Sequence, residues 1–307
     1  MITPLSQQTH APALPRSQYR RHHVLPYLFL APALLALLAI IVGPTIYAIL
    51  VSLKSWDLSD PASGQPFVGL KNYANMIADP YFWTSIGTSA VFAVGAVAIE
   101  LVVGLGMALL LIEQRMFKSV INAIVLIPLM ITPVVVGLIW RYMYDPSDGL
   151  VYFFLRFIPG GSAFGGLTST GTALVSTMIV DAWEMTPFVI LVMLAGLAAL
   201  PDEPFEAARI DGAGRVQQLR FITLPLLKPV ILLVMLIRLM DAFRTFDTIY
   251  ILTGGGPGTS TELISLYDFN TAFQNFQLGY GMALAVTTLL VLLALGVVVM
   301  RFMRAGR

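Results

Sequence analysis

The sequence has no cysteine and only three histidines, His10, His22 and His23, all near its beginning. Without cysteine, the chain can form no disulfide bond, zinc–thiolate site or iron–sulfur cluster. Its main part also lacks histidine, the side chain most often used for acid–base catalysis and metal binding near neutral pH. We therefore expect no metal site and no cofactor bound to this chain.

Charged residues are also scarce, at 11% of the chain, whereas hydrophobic residues make up 57% and the mean hydropathy is +0.82. A soluble domain has about a quarter of its residues charged, so lipid must cover much of this chain. The net charge of +1 is too small for a nucleic-acid-binding surface. These observations indicate an integral membrane protein with no nucleic-acid partner.

Long apolar segments alternate with stretches rich in Pro, Gly, Asp and Ser. Each segment has the roughly 20 residues that a helix needs to cross a bilayer. The six predicted transmembrane helices are residues 27–53, 84–112, 120–143, 173–200, 229–252 and 281–302. The first is longer than the apolar part of a signal peptide, which has about 7–15 residues, so we expect it to be retained. The predicted fold is an all-α integral membrane bundle of six helices.

The distribution of Lys and Arg predicts the orientation of this bundle. Of the 18 basic residues, twelve fall on the side of the N-terminus, four on the other side and two within the fifth helix. Because cytoplasmic loops carry an excess of basic residues, both termini and the loop 201–228 are predicted to be cytoplasmic. The chain then consists of an N-terminal tail (1–26), a membrane domain (27–302) and a short C-terminal tail (303–307).

The loop after the fourth predicted helix has an unusual sequence, PDEPFEAARIDGAGRVQQLRFITLPLLKP, at residues 201–229. Pro201 and Pro204 end the preceding helix, and the segment that follows forms short helical turns broken at Gly212 and Gly214. The second part of the loop is basic and amphipathic. From the residues alone, two interpretations stay open: a helix lying on anionic lipid, and a surface that another protein contacts.

The spacing within this loop resembles the EAA loop of binding-protein-dependent ABC importer permeases. That pattern consists of EAA, a Gly six residues after the Glu, and I-x-L-P about ten residues later. The matching residues are Glu206, Ala207, Ala208, Asp211, Gly212, Ala213, Ile222, Leu224 and Pro225. Together with the later ILTGGGPG, the extended loop is similar to the sugar-importer branch that includes the maltose and glycerol-3-phosphate permeases. The resemblance covers nearly the whole chain and implies a type I importer permease bundle.

The resemblance implies a function and a set of partners. The loop would be a coupling helix that docks into a separate ATPase, and the chain would be a non-enzymatic permease that imports a sugar, oligosaccharide or polyol across a bacterial inner membrane. Its partners would be a second related permease, an ATPase dimer and an extracytoplasmic solute-binding protein. ATP would bind to the ATPase, because the one glycine-rich run here, Gly254–Ser260, lacks the Lys of a Walker A loop.

Several charged residues fall at membrane depth. Arg238, Asp241, Arg244 and Asp247 follow one another at three-residue spacing, which predicts one ridge of alternating sign on the fifth helix. The fourth helix places Asp181 and Glu184 at a similar depth. A charge facing lipid there costs at least about 2.5–3.5 kcal/mol, so these groups must face one another or a water-filled cavity.

Two interpretations of these charges stay open, an ion-pair network between helices and a polar pathway for a hydroxyl-rich solute. Nearby aromatic residues favour the pathway, because sugars stack on flat faces. They are Trp183, Phe243, Phe246 and Tyr250. Since both signs of charge are present, a neutral saccharide or polyol is expected, although the sequence does not identify which one.

Two other classes of protein would also use membrane-buried carboxylates. An ion-coupled secondary transporter would use Asp181, Glu184, Asp241 or Asp247 as ion carriers, but it does not account for the loop 201–229. An intramembrane enzyme would use Asp181 and Glu184 as an acid–base pair. No nucleophile motif or histidine in the sequence supports such an enzyme.

Overall fold

The computed structural model describes residues 29–114 and 118–305. Within these ranges the chain is helical and forms no β-strand, apart from an isolated antiparallel bridge between Lys54 and Phe67. The predicted all-α fold is therefore confirmed. The contact pattern divides the chain into two units, residues 1–50 and 51–307, and each is described by itself.

The described part of the first unit belongs to a single long helix. This helix, α1, covers Phe29–Ser52 and contains a π-helical segment at Leu38–Val42. Most of its large apolar side chains are exposed, which is typical of a helix facing lipid. The hydroxyl of Thr45 donates to the carbonyl of Ile41 at 2.7 Å, so this polar group is satisfied within the helix.

The second unit contains several long helices and a number of short ones. They are α2 (Lys71–Ala78), α3 (Pro80–Glu113), α4 (Lys118–Leu126), α5 (Pro133–Met143), α6 (Leu150–Leu155), α7 (Ala173–Ala198), α8 (Glu203–Ile210), α9 (Arg215–Phe243), α10 (Asp247–Leu252), α11 (Ile264–Phe269) and α12 (Leu278–Ala305). In the part of the chain that the structure describes, five helices are long and apolar enough to cross a membrane, namely α1, α3, α7, α9 and α12.

The third predicted span is not a continuous helix. It consists of α4, a 3-10 turn at Pro128–Met130 and α5. Pro128 and Pro133 interrupt the helical hydrogen bonds because proline has no backbone N–H. At 1.5 Å per residue, the 11 residues of α5 are too short to span a bilayer alone. The count of six spans and the orientation of the chain therefore remain predictions.

The fifth predicted span, 229–252, differs at both ends. Helix α9 already begins at Arg215, passes through a π segment at Leu219–Thr223, and continues through Pro229 to Phe243. The prediction that Pro229 starts the helix is wrong because one proline removes only one helical hydrogen bond, and the neighbouring Leu227 is fully buried in the core. The chain then breaks, and α10 begins at Asp247.

Helices α3, α7 and α9 form the tightly packed centre of the second unit. Two glycines permit the close approach: a Cβ added to Gly104 of α3 would lie 2.6 Å from Val189 of α7, and one added to Gly196 of α7 would lie 2.9 Å from Leu227 of α9. Small residues at helix contacts are usual in membrane proteins, where packing rather than hydrophobicity drives association. This packing fixes the relative positions of the polar side chains that the three helices carry.

Candidate functional site

A buried arginine joins the three central helices. Arg238 of α9 is only 2% exposed and makes a bidentate contact with Glu100 of α3, at 2.7 and 2.9 Å. Its guanidinium also donates to Asp181 of α7 at 2.9 Å. Because each carboxylate comes from a different helix, the arginine ties α3, α7 and α9 together at one level.

This group of charged side chains, the ion cluster, contains Arg238, Glu100 and Asp181 and extends towards the surface along α9 through Asp241 and Arg244. Arg238 donates to Asp241 at 2.5 Å, and Asp241 accepts a further bond from Arg244 at 3.1 Å. The side chains become more exposed along this series, from 2% for Arg238 to 38% for Asp241 and 70% for Arg244. The cluster therefore has a closed inner part and an accessible outer part.

The inner part satisfies the conditions for a stable buried charge. Arg238 uses its Nε and both terminal nitrogens in hydrogen bonds to carboxylates. Removing one partner of such a group leaves an uncompensated charge and costs about 3–5 kcal/mol. The ion-pair interpretation therefore applies to Arg238 and Asp181, with Glu100 as their third member.

Glu100 was missed by the sequence analysis, which considered charges only on the fourth and fifth predicted helices. It is fully buried on α3 and is the acidic residue near the middle of the predicted span 84–112. A carboxylate inside an apolar segment requires a cation on another helix. That signal was present in the sequence, but it did not identify the partner.

The predicted ridge of alternating charge extends from Arg238 through Asp241 to Arg244 but does not include Asp247. Helix α9 ends at Phe243, so Arg244 lies at its C-cap and Asp247 begins the next helix. Asp247 is exposed, whereas Arg238 is buried. The break at residues 244–246 separates the two ends of the predicted ridge.

Glu184 is near the cluster but has a different partner. It is 2% exposed and lies 3.5 Å from the hydroxyl of Thr248 on α10, which donates to it. Among the described residues, the ion pairs of Arg238 involve Glu100, Asp181 and Asp241 rather than Glu184. This carboxylate therefore links α7 to α10 instead of joining the arginine.

The four aromatic residues that were expected to favour a sugar path fall into different environments. Trp183 is partly exposed and packs edge-to-face on Trp140, with ring centroids 5.5 Å apart. Tyr250 is also partly exposed and stacks on Phe246 at 5.4 Å. Phe243, in contrast, is buried in the hydrophobic core, so its ring is closed to a solute.

The predicted coupling loop forms a short helix, α8, with well-defined ends. Acidic residues occupy its first turn, including Glu206, and Arg209 lies in its last turn, which matches the helix dipole. At its end, the N–H of Ala213 donates to the carbonyl of Ala208 at 2.8 Å. Gly212 has φ +75°, a left-handed conformation that glycine adopts without strain.

A second set of hydrogen bonds joins the turn after α8 to the start of α9. The N–H of Gly214 donates to the side chain of Gln217 at 2.8 Å, and the side-chain amide of Gln218 donates to the carbonyl of Ala213 at 2.9 Å. These bonds fix the turn between the two helices. Leu224 and Pro225, the last residues of the resemblance, lie within α9 rather than in the loop.

The surface of this loop contains exposed apolar residues among charged ones. Ile210 is 86% exposed and Val216 is 77% exposed. Most of the residues carried over from the resemblance are also accessible: Glu206, Ala207, Asp211, Gly212 and Pro225 are exposed, and Ala208, Ala213 and Leu224 are half-buried. Beside them lies a groove of about 370 Å³ that includes Asp211 and Gln217. Exposed apolar residues with a polar rim are typical of a protein-contact surface.

The long apolar helices and the short exposed helix α8 are features of a helical membrane protein. Residues 100–305, about two thirds of the chain, match the family described as "Binding-protein-dependent transport system inner membrane component". The chain belongs to this family. With its long apolar helices, it is a multi-pass inner-membrane protein.

Two curated relatives match nearly the full length of the chain. It is 38% identical over 288 residues to the trehalose/maltose transport system permease protein MalF of Thermococcus litoralis, covering 94% of this chain and 95% of the relative. It is 34% identical over 286 residues to the trehalose transport system permease protein SugA of Mycobacterium tuberculosis, covering 93% and 91%.

The fold is also found in a solved structure. A chain of a bacterial ABC transporter involved in the import of the acidic polysaccharide alginate superposes with a TM-score of 0.79 at 22% identity. The match covers 95% of this chain and 99% of the other. The architecture is therefore that of a type I ABC importer permease.

Proposed function

We propose that this chain is the permease subunit of an ABC importer that moves a carbohydrate into the cytoplasm. The observation that carries this proposal is the ordered, exposed helix α8 with its left-handed Gly212 turn, in a chain whose full-length relatives are named as trehalose and maltose permeases. The chain itself is not an enzyme, and ATP binds to a separate ATPase subunit. A second permease and a solute-binding protein complete the assembly.

The structure suggests how movement of the ATPase reaches the membrane. The turn residue Ala213 donates its N–H to Ala208 of α8 and accepts from Gln218 at the start of α9, and α9 continues to Phe243. Arg215 and Arg238 are 23 residues apart on α9, which corresponds to roughly 35 Å at 1.5 Å per residue. A displacement of α8 would therefore be transmitted along α9 as a rigid-body shift to the level of the ion cluster.

The two interpretations of the membrane-buried charges apply to different residues of the cluster. We assign Arg238, Glu100 and Asp181 to the ion-pair tie, because all three are buried and bonded to one another. The groups available to a hydroxyl-rich solute are the more exposed ones. They are Trp183, Asp241, Arg244, Asp247 and Tyr250.

The test is transport by a reconstituted complex of this chain with its second permease, ATPase and loaded solute-binding protein. Wild type is expected to accumulate the sugar only when ATP is supplied inside the vesicle. Glu206→Lys reverses a charge on the exposed face of α8, so we expect it to lower transport-linked ATP hydrolysis at least tenfold. Gln65→Lys, an equally exposed change outside this loop, is the control and should leave transport unchanged.

Uptake driven by an ion gradient without ATP would contradict the proposal and support a secondary transporter. Normal coupling in Glu206→Lys, with the ATPase still bound, would contradict the role of α8 alone. The two results are distinguishable because the first concerns the wild-type chain and the second only the variant.

A further inference from the structure

A polar cavity is lined by residues that do not belong to the ion cluster. It has a volume of about 440 Å³ and is bounded by the segment after α1, by α2 with Asp79, by α11 and by the start of α12. Small-molecule sites are usually concave and about 300–1,000 Å³ in size. The predicted orientation places residues 54–83 and 253–280 outside the cell, so this cavity would face the side from which a solute arrives.

The wall of the cavity is held in place by a carboxylate shared between two phenols. Asp79 accepts hydrogen bonds from the hydroxyls of Tyr267 and, at 2.7 Å, Tyr280. Its other oxygen accepts from the N–H of Tyr81 at 2.9 Å. Burial raises the pKa of Asp79, but these hydrogen bonds outweigh burial and leave the pKa below its ordinary value. The carboxylate is therefore ionised at neutral pH.

A second set of hydrogen bonds fixes the part of the wall formed by the segment after α1. The buried side chain of Asn72 donates to the carbonyls of Ser52 at 2.7 Å and Lys54 at 2.9 Å. The N–H of Gly279 donates to the carbonyl of Trp56 at 3.0 Å. The cavity is thus formed before any ligand binds, which lowers the entropic cost of binding.

The remaining lining groups are those that recognise a neutral sugar. The exposed side chains of Asn75 and Gln277 offer amide donors and acceptors, and Asp57 offers carboxylate oxygens. Trp56, together with the two tyrosines, supplies aromatic surface. No Lys or Arg is among the described residues that line the cavity, so two carboxylates would repel an anionic ligand.

We propose that this cavity is an outer binding site for a neutral saccharide, separate from the ion cluster. The inference rests on the proposed function, because it assumes that the chain handles carbohydrate. It would hold a sugar unit at the outer end of the bundle before the sugar reaches the partly exposed groups around Asp241. An anionic sugar would be rejected at this step.

The experiment compares the wild-type complex with the double variant Asn75→Ala, Gln277→Ala. Both side chains are exposed, so their removal should leave Asp79 and the fold undisturbed. The neutral ligand is trehalose or maltose, whichever the wild-type complex takes up. Glucuronate is the anionic ligand used for comparison. Binding to the purified complex, without the solute-binding protein, is measured by calorimetry, and Gln65→Ala serves as the exposed control.

We expect the dissociation constant for the neutral sugar to rise at least tenfold in the double variant and to stay unchanged in the control. Wild type should bind glucuronate at least tenfold more weakly than the neutral sugar. Equal binding in wild type and double variant would overturn the proposal. So would a variant that binds sugar normally but loses affinity for the solute-binding protein, since the cavity would then be a docking surface. If wild type takes up no carbohydrate in the ATP-dependent transport assay, the proposed function fails instead.

Discussion

The ion cluster and the α8 loop are both polar regions of a largely apolar chain, but they are built in opposite ways. In the cluster, Arg238 bonds to residues 138 and 57 positions away in the sequence, and its surroundings are closed. In the loop, most hydrogen bonds connect residues at most five positions apart, and most side chains are exposed. The exception is the exposed pair of Arg215 and Glu113, which lie 3.5 Å apart. The contact between helices thus depends on residues distant in the sequence, whereas the proposed docking surface depends mainly on local hydrogen bonds.

From this comparison we expect that removing a charged side chain lowers the stability of the protein most in the ion cluster. Arg238→Met would leave Glu100 and Asp181 buried without a cation, which costs about 3–5 kcal/mol. The level of folded protein in the membrane, together with its unfolding temperature, measures this loss. Arg244→Met is the matched control, because Arg244 is 70% exposed and an exposed pair contributes about 0–1 kcal/mol. Equal losses in both variants would contradict the distinction between inner and outer parts.

A second change tests which carboxylate is the main partner of the arginine. Adding Glu100→Gln to Arg238→Met should recover more folded protein than adding Asp241→Asn. The reason is that Glu100 is fully buried and would otherwise remain as an unpaired charge, whereas the side chain of Asp241 is 38% exposed. The measurement is the amount of protein extracted from the membrane in monodisperse form. Better rescue by Asp241→Asn would reverse this assignment.

In the loop we expect loss of coupling with a smaller loss of stability. Gly212→Val places a β-branched residue at φ +75°, which costs roughly 1–2 kcal/mol and alters the turn that joins α8 to α9. Gly160→Val is a close control, because Gly160 has a left-handed conformation with φ +79° and, like Gly212, has no neighbouring atom within 4 Å of an added Cβ. Stimulation of the ATPase by loaded solute-binding protein should fall only for Gly212→Val. A similar fall in both variants would show that strain, rather than position, is responsible.

We expect a change of pH to have the smallest effect on the stability of the protein. Because the folded-state pKa of Asp79 is lowered, its contribution to stability is present above the ordinary pKa of about 3.9 and is lost as pH falls through the lower value. Burial and the bond to Asp79 raise the pKa of Tyr267 to about 12, so the phenol keeps its proton and its contribution is lost only as pH rises through that value. The difference in unfolding temperature between wild type and Asp79→Asn should therefore be constant from pH 5 to pH 8. A slope within this window would contradict the assignment.

The sequence determined the class of this protein because its signals are local. A span of about 20 apolar residues is recognisable without knowing its neighbours, and the turn at Gly212 is specified by residues within a few positions of it. The all-α fold, the long helices α3, α7 and α12, and the exposed loop that resembles a coupling helix were therefore predictable. The family match and the relatives agree with that reading.

Only the tertiary structure decided how the charged residues are arranged. Whether Arg238 meets Glu184 or Glu100 depends on how α3, α7 and α9 pack, and glycines such as Gly104 set those distances. The break after Phe243, which separates Asp247 from the other charges of the predicted ridge, likewise has no strong local signal. The cavity beside Asp79 joins segments about 200 residues apart, as the bond between Tyr280 and Asp79 shows. A buried polar group in an apolar protein requires a partner. The sequence indicates that requirement, but the packing of distant helices determines which residue is the partner.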